Sequence, residues 1–205
     1  MHIVLFVLGG TFVGVGMWQL AVWISETRHK NRKYESAATY AKKMNKPLLI
    51  AGGPWGTKEI RRFLNTPAHG NGDICLDIDP CAFHDHPRGV IADVTQIPFS
   101  AKSFGAAFAS HLLEHLSTTE DAKRALAELN RVAEAVYIVY PSKQSIGAWV
   151  KQEHHLWVWQ KGNVTYFKQR GESRGKRKEE YVNLIDQPDA LKNNNDLFQV
   201  RTARK

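Results

Sequence analysis

The stretch GVIADVTQIPFSAKSFGAAFASHLLEHL, residues 89–116, decides the fold of this chain. It contains two short apolar runs that each end in polar residues: residues 90–92 stop at Asp93, and residues 104–109 stop at Ser110-His111. Such runs are typical of strands in a parallel sheet that is covered on both faces. Ligands bind at the carboxyl ends of these strands. The stretch therefore predicts that Asp93, Ser110 and His111 lie in a ligand site.

Two further strands and a glycine-rich loop precede this stretch. Residues 48–51 (LLIA) predict a first strand that runs into Gly52-Gly53-Pro54-Trp55-Gly56, and residues 74–76 (ICL) predict a second strand that ends at Asp77. Glycines between a strand and a helix let the backbone approach a ligand closely. Only residues 81–89 separate the second strand from the third, so we expect an abbreviated connection without a full crossover helix.

The segments after residue 116 predict the remainder of an α/β domain. Ser117-Thr118-Thr119-Glu120 resembles a capping box that opens an amphipathic helix, and residues 136–140 predict a fifth strand. The region after Pro141 fits an aromatic and histidine-rich lid over an acceptor pocket, formed by Trp149, His154, His155, Trp157 and Trp159. A hairpin at residues 156–167 packed on the sheet edge is the alternative, and the two interpretations are compatible. Apolar periodicity is lost from residue 169 onward, which predicts a basic, mostly disordered tail.

The N-terminal region predicts a membrane anchor. Residues 3–24 carry no charged side chain and are long enough to cross a bilayer. A cleaved signal peptide fits less well, because the run is too long and no basic residue precedes it. The basic residues that follow place this end in the cytoplasm by the positive-inside rule; they are Arg28, Lys30, Arg32 and Lys33. Residues 30–44 predict a helix that covers one edge of the sheet.

Composition limits the remaining possibilities. The chain has 205 residues and a formal net charge of +8, which favours contact with anionic lipid or nucleic acid without choosing between them. Two cysteines exclude a disulfide framework. Cys75 and Cys81 with His84 and His86 nearby allow a metal site, but a buried strand cysteine and a loop cysteine are the preferred interpretation. We therefore predict no metal.

These motifs closely resemble class I S-adenosylmethionine-dependent methyltransferases of the type 11 branch. The family pattern is an acid after the third strand, then LPF, SFD and S-H-x-L-E-H. Here it is matched by Asp93, Ile97-Pro98-Phe99, Ser103-Phe104-Gly105 and residues 110–115 (SHLLEH). The glycine loop is similar to the family's D-x-G-x-G-x-G motif, but Ile50 replaces the acid and Pro54 replaces the middle glycine.

The resemblance implies an abbreviated Rossmann-like α/β fold, with a mostly parallel sheet and helices on both faces, beside the one N-terminal transmembrane helix. It implies S-adenosylmethionine as cofactor, with Asp77 (or Asp79 as the alternative) accepting hydrogen bonds from the ribose hydroxyls and Asp93 contacting the adenine amino group. The implied cofactor-binding residues are Gly52, Gly53, Gly56, Asp77, Ile78, Asp93, Val94, Ser110 and His111.

The acceptor side of the site is less defined. Candidate bases for an acceptor proton are His111, His115, Tyr140, His154 and His155. His111 and His115 lie four residues apart on an expected helical turn, so they could share one face. The sequence has no Asn-Pro-Pro-Tyr-like motif of amino-group or nucleic-acid methyltransferases, which favours a small-molecule or lipid acceptor.

The resulting hypothesis is a membrane-anchored methyltransferase that faces the cytoplasm. Its predicted segments are an anchor (residues 1–25), a basic juxtamembrane helix (26–46), a methyltransferase-like domain (47–168) and the tail (169–205). Two alternatives stay open. One is a catalytically inactive binding or scaffold protein, favoured by Ile50 and Pro54, and the other is an RNA-directed methyltransferase that uses the basic tail.

Overall fold

A computed structural model describes residues 2–53, 70–83, 86–171 and 180–183 of the protein. Three positions discussed above, Pro54, Gly56 and His84, lie outside these described residues. In chain order the elements are α1 (His2–Lys43), β1 (Leu48–Ala51), β2 (Ile74–Asp77), a 3-10 helix (Pro80–Phe83), β3 (Gly89–Ile91), β4 (Phe104–Ser110), a second 3-10 helix (Leu113–His115), α2 (Thr119–Val132), β5 (Ala133–Val139), α3 (Ile146–Val150), β6 (Leu156–Lys161), β7 (Val164–Gln169) and β8 (Glu180–Asn183).

The main sheet has five parallel strands in the order β3-β2-β1-β4-β5. Strand β4 lies between β1 and β5, and all seven of its residues are buried, as expected for an apolar strand covered on both faces. The chain order of the strands reverses between β1 and β4. This is the switch point at which the loops after neighbouring strands diverge and leave room for a ligand. The predicted α/β class and mostly parallel sheet are confirmed.

Helices cover both faces of this sheet. Helix α2 packs its small and branched residues against one face, in a core that includes Ala122, Ala125, Leu126, Leu129, Leu49, Ala107, Val136 and Ile138. Helix α1 packs Ala37 and Ala41 against the other face. A Cβ on Gly105 would lie only 2.7 Å from the Cα of Ala41, so the glycine at that position lets α1 approach β4. The expectation that this helix covers a sheet edge was wrong, because its alanines lie over a face.

Two boundaries differ from the predicted ones. The N-cap of α2 is Thr118, whose hydroxyl accepts a hydrogen bond from the Asp121 amide and donates one to Asp121 Oδ2. The cap is therefore the Thr118–Asp121 pair, one residue later than the predicted box. Strand β5 begins at Ala133, immediately after the helix. Lys102 stabilises this direct junction, since its ammonium donates to the carbonyl oxygens of Asn130 and Ala133.

A second, antiparallel sheet has the order β6-β7-β8. Its hairpin buries Leu156, Val158 and Phe167 in the same core as α2, which confirms the predicted hairpin. Strand β8 falls within the segment predicted as disordered, so that prediction was wrong for residues 180–183. The strand has only four residues, too few to show an alternation of apolar and polar side chains in the sequence. It forms through its hydrogen bonds to β7.

Helix α1 is continuous from His2 to Lys43, so the predicted anchor and the juxtamembrane helix belong to one helix. Among the helical residues that the structure describes, none form a segment both long and apolar enough to cross a membrane.

Candidate functional site

A cavity of about 780 Å³ lies at the carboxyl ends of β1, β2, β3 and β4. Its lining includes residues that follow four different strands. Ligand sites of parallel sheets lie at this end of the strands. The predicted cofactor-binding residues in its lining are Gly52, Asp77, Ile78, Asp93, Val94 and His111. Ser110 and Gly53 adjoin these residues in the chain but are not part of the lining, and Gly56 lies outside the described residues.

The two acidic residues after β2 have different surroundings. Asp77 lines the cavity, and its Oδ1 accepts a hydrogen bond from the Asp79 amide at 2.9 Å. Asp79 is directed to the next turn, where its Oδ1 accepts from the Cys81 amide at 2.9 Å and its carbonyl accepts from Ala82. Asp79 therefore caps the short 3-10 helix Pro80–Phe83, and Asp77 is the carboxylate available to a ligand.

The loop after β1 passes directly over Asp77. Gly53 has a φ of +49°, and a Cβ there would lie 2.6 Å from the Ala82 Cβ and 2.9 Å from Asp77 Oδ2. Any side chain at this position would displace the carboxylate. Ile50 is fully buried on the α1 side of the sheet and does not line the cavity within the described residues. Position 50 therefore offers no carboxylate where the family places an acid at the end of β1.

Asp93 lies at the end of β3 in a tight turn. Its Oδ1 accepts a hydrogen bond from the Thr95 amide at 2.8 Å, and its carbonyl accepts from the Gln96 amide. The side chain is exposed to the cavity, whereas the neighbouring Val94 is buried. The turn fixes one carboxylate oxygen, so a ligand would meet the Asp93 side chain in a defined orientation.

His111 adopts a left-handed backbone conformation with a φ of +53°. Such a conformation is uncommon for a residue other than glycine, and it concentrates at functional sites. The His111 amide donates to the Val139 carbonyl, and its Nδ1 lies 3.1 Å from Glu114 Oε1. The Glu114 side chain is only 1% exposed, and its Oε2 has no hydrogen-bond partner.

Two further histidines flank Glu114 in the cavity wall. The rings of His115 and His154 meet edge to face with centroids 4.8 Å apart, and both residues line the cavity. Burial lowers the pKa of His154, although the Glu114 carboxylate opposes that shift. The His154 ring also forms a hydrogen bond to the backbone of Ala148, which fixes its orientation.

Helix α1 supplies a wall of the cavity that the sequence did not predict. Trp23, Glu26, Thr27 and Lys30 line it, and they follow or end the uncharged N-terminal run. Glu26 Oε1 accepts a hydrogen bond from the Ser142 amide at 2.7 Å, which ties the helix to the loop after β5. Burial lowers the pKa of Lys30, consistent with its place at the inner face of the helix.

Two candidate bases lie elsewhere. Within the described part of the chain, neither Tyr140 nor His155 belongs to the cavity lining. The Tyr140 hydroxyl accepts a hydrogen bond from the Gln160 amide, and burial raises the pKa of this phenol, so Tyr140 stabilises the junction with β6. His155 is exposed, and its amide donates to the Glu114 carbonyl. Sequence reasoning also missed Glu114, although its position in the SHLLEH motif between His111 and His115 was a usable signal.

Comparison with known proteins is consistent with the parallel sheet and its site. The sequence model of a family described as "Methyltransferase domain" matches residues 73–135. No curated protein sequence matches the chain.

Solved structures similar to the chain include the PH0226 protein from Pyrococcus horikoshii OT3, at 13% identity, covering 80% of this chain and 78% of that one with a TM-score of 0.40. The amino pentose methyltransferase CalS10 from Micromonospora echinaspora, solved with bound S-adenosylmethionine, is 16% identical, with coverages of 79% and 81% and a TM-score of 0.38. A Burkholderia thailandensis 1,6-didemethyltoxoflavin-N1-methyltransferase is 14% identical, with coverages of 82% and 69% and a TM-score of 0.36.

The family match spans β2 to the start of β5 and contains Asp77, Asp93 and the SHLLEH motif. It confirms the resemblance drawn from those residues, and over this segment the chain is similar to a methyltransferase domain.

Proposed function

We propose that the protein transfers a methyl group from S-adenosylmethionine to a small-molecule or lipid acceptor at the cytoplasmic surface of a membrane, to which α1 anchors it. The observation that carries this proposal is the composition of the cavity wall. Asp77 and Asp93 of the sheet and Trp23 and Thr27 of α1 line the same cavity. The site is therefore built jointly by the methyltransferase sheet and by the helix that carries the apolar N-terminal run.

The residues on the sheet side fit the cofactor. A volume of about 780 Å³ lies within the range of small-molecule sites. The Asp77 carboxylate is an acceptor suited to ribose hydroxyls, and Ile78 and Val94 offer apolar surface for an adenine ring. When bound, S-adenosylmethionine supplies a methyl group on a sulfonium, and the protein has to hold the acceptor in line with it. His111 and His115 line the same cavity and are the candidates for orienting that acceptor.

The contacts of α1 support a position of the cavity close to the membrane. Gln19, inside the uncharged run, donates to the Gln144 carbonyl and accepts from the Ile146 amide. Trp23 and Thr27 follow about one and two helical turns later, about 6 and 12 Å further along the axis. If residues 3–24 insert into a bilayer, the loop at residues 144–146 lies at the interface and the cavity lies directly beneath it.

Apolar side chains on the surface support this placement. Helix α1 exposes Phe12 and Met17, and the short helix α3 next to Gln19 exposes Trp149 and Val150, each by more than half of its surface. Tryptophan is enriched at membrane interfaces. Exposed apolar residues on two neighbouring elements are a feature of surfaces that a membrane covers. An acceptor with a lipid tail could then enter the cavity from the membrane.

The proposal is tested with sealed membrane vesicles that carry the full chain with its domain outward. S-adenosylmethionine labelled in the methyl group is added outside, and lipid-extractable, small-molecule and RNA fractions are counted separately. We expect the chain to resist carbonate extraction and to label the lipid or small-molecule fraction, while Asp77→Asn labels neither. Label in RNA would favour the RNA-directed alternative, and no label despite cofactor binding would favour the inactive scaffold. Release by carbonate would refute the anchor.

A further inference from the structure

We propose that Glu114, His115 and His154 form a binding site for a divalent transition-metal ion in the wall of the cavity. Each residue offers one ligand atom, and the three atoms lie within 4.8 Å of one another. His115 and His154 also line the cavity. The three ligands come from two segments, the 3-10 helix Leu113–His115 and the loop before β6, so they surround a point between separate elements of the fold.

The buried carboxylate is the strongest argument. Glu114 is 1% exposed, and its Oε2 has no hydrogen-bond partner. An unpaired carboxylate is costly to bury, because the protein interior does not replace its lost hydration. No lysine or arginine forms an ion pair with Glu114 among the described residues; its Oε1 is in contact with His111 Nδ1. A cation bound at Oε2 would compensate this buried charge.

The distances allow an ion with little rearrangement. Zinc bonds of about 2.0–2.2 Å in a tetrahedral arrangement place ligand atoms roughly 3.4 Å apart. The present spread of up to 4.8 Å would have to contract by about 1.4 Å in the widest direction. The His115 and His154 rings already meet edge to face with centroids 4.8 Å apart, so the two imidazoles lie close to each other before an ion binds.

The surrounding hydrogen bonds resemble those that orient metal ligands in proteins. His111 holds Glu114 Oε1, and the backbone of Ala148 holds one nitrogen of the His154 ring. Such outer contacts fix the orientation of metal-binding carboxylates and imidazoles. Arg170 fixes the loop that carries His154, because its guanidinium donates to the carbonyl oxygens of Ala148, Trp149, Lys151 and His154.

The ligand set indicates the kind of ion. Two imidazoles and one carboxylate suit zinc, iron or manganese, whereas magnesium and calcium prefer oxygen ligands. Three protein ligands beside a cavity leave at least one position open, as in catalytic rather than structural zinc sites. An ion here would hold an oxygen or nitrogen of the acceptor. That use rests on the proposed function, but metal binding itself does not.

Zinc binding by the full chain, purified in detergent and stripped with a chelator, tests the inference. Titration calorimetry with Zn²⁺ and metal analysis after dialysis are compared for wild type, Glu114→Gln, His154→Gln and the matched control His155→Gln, an exposed neighbour. We expect wild type and His155→Gln to bind one equivalent, and both ligand variants to bind at least about tenfold more weakly. Circular dichroism verifies the fold of each variant, and His115→Gln replaces any variant that does not fold.

Binding of S-adenosylhomocysteine to the same preparations separates this inference from the proposed function. Zinc that binds equally to wild type and to both ligand variants, or that does not bind wild type, overturns the metal site even if S-adenosylhomocysteine still binds. Zinc binding that depends on Glu114 and His154 supports the site even if methyl transfer is absent. Magnesium serves as the negative control, and magnesium binding equal to that of zinc would contradict the assigned ligand chemistry.

Discussion

Replacement of Asp77 by asparagine probes the assignment of the cofactor carboxylate most directly. Asp77 Oδ1 accepts from the Asp79 amide, and Oδ2 lies beside Gly53 next to the cavity. Asparagine retains an oxygen for the Asp79 amide and matches the size of the side chain, so the local turn is expected to persist. The substitution removes the charge and replaces one acceptor by a donor at the cavity.

The size of the effect follows from the lost interaction. A hydrogen bond to a charged group contributes about 1.5–3 kcal/mol. That range corresponds to about a 10- to 150-fold increase in the dissociation constant, since 1.4 kcal/mol is tenfold. We expect this loss for S-adenosylhomocysteine binding, measured by titration calorimetry on the full chain in detergent.

Asp79→Asn is the matched control. Asp79 caps the 3-10 helix Pro80–Phe83 through the Cys81 amide and does not line the cavity within the described residues. Its variant should bind S-adenosylhomocysteine like wild type. If Asp79→Asn weakens binding and Asp77→Asn does not, the cofactor carboxylate is Asp79, and the reasoning from the cavity geometry is refuted.

Two other substitutions test the packing around the site. Gly53→Ala should lower both the melting temperature and the affinity for S-adenosylhomocysteine, because its Cβ would meet Ala82 and Asp77 at a φ of +49°; Gly162→Ala, also at positive φ but with no atom within 4 Å, should affect stability alone. Lys33 is fully buried, and burial lowers its pKa from 10.5 to about 8. The unfolded chain therefore binds more protons between these values, and the free energy of unfolding should rise as pH increases from 8 to 10.5. Denaturant titrations should show this rise in wild type but not in Lys33→Met, and an equal rise in both would assign it to another group.

The sheet and the residues at its carboxyl edge could be predicted because they depend on local pattern. Apolar runs that end in Asp77, Asp93 and Ser110-His111 define both the strands and the side of the sheet at which their polar residues meet. The same logic extended to α2, whose buried stripe follows helical spacing.

The α1 wall could not be predicted in this way. The uncharged run at residues 3–24 predicted an anchor, and nothing in that pattern indicates that Trp23 and Thr27 also line a cavity. Such a contact depends on the angle at which α1 crosses the sheet. Gly105 permits that crossing, but its role is visible only once Ala41 is seen above it. Lys33 shows the same limitation: the positive-inside rule counted it as a juxtamembrane charge, whereas its ammonium is buried and donates to the Ile138 carbonyl and Gln160.

The SHLLEH motif shows how a small difference in helical geometry changes the chemistry of a site. An α-helical turn would place His111 and His115 on one face, as expected from their spacing of four. The chain instead forms the 3-10 helix Leu113–His115 after His111 turns it at positive φ. His111 lies outside this helix and places its Nδ1 3.1 Å from Glu114 Oε1, whereas the His115 ring meets the His154 ring edge to face. Glu114 therefore contacts His111 through Oε1 and also belongs to the proposed metal site with His115 and His154. The same buried carboxylate thus links the acceptor side of the cavity to that site.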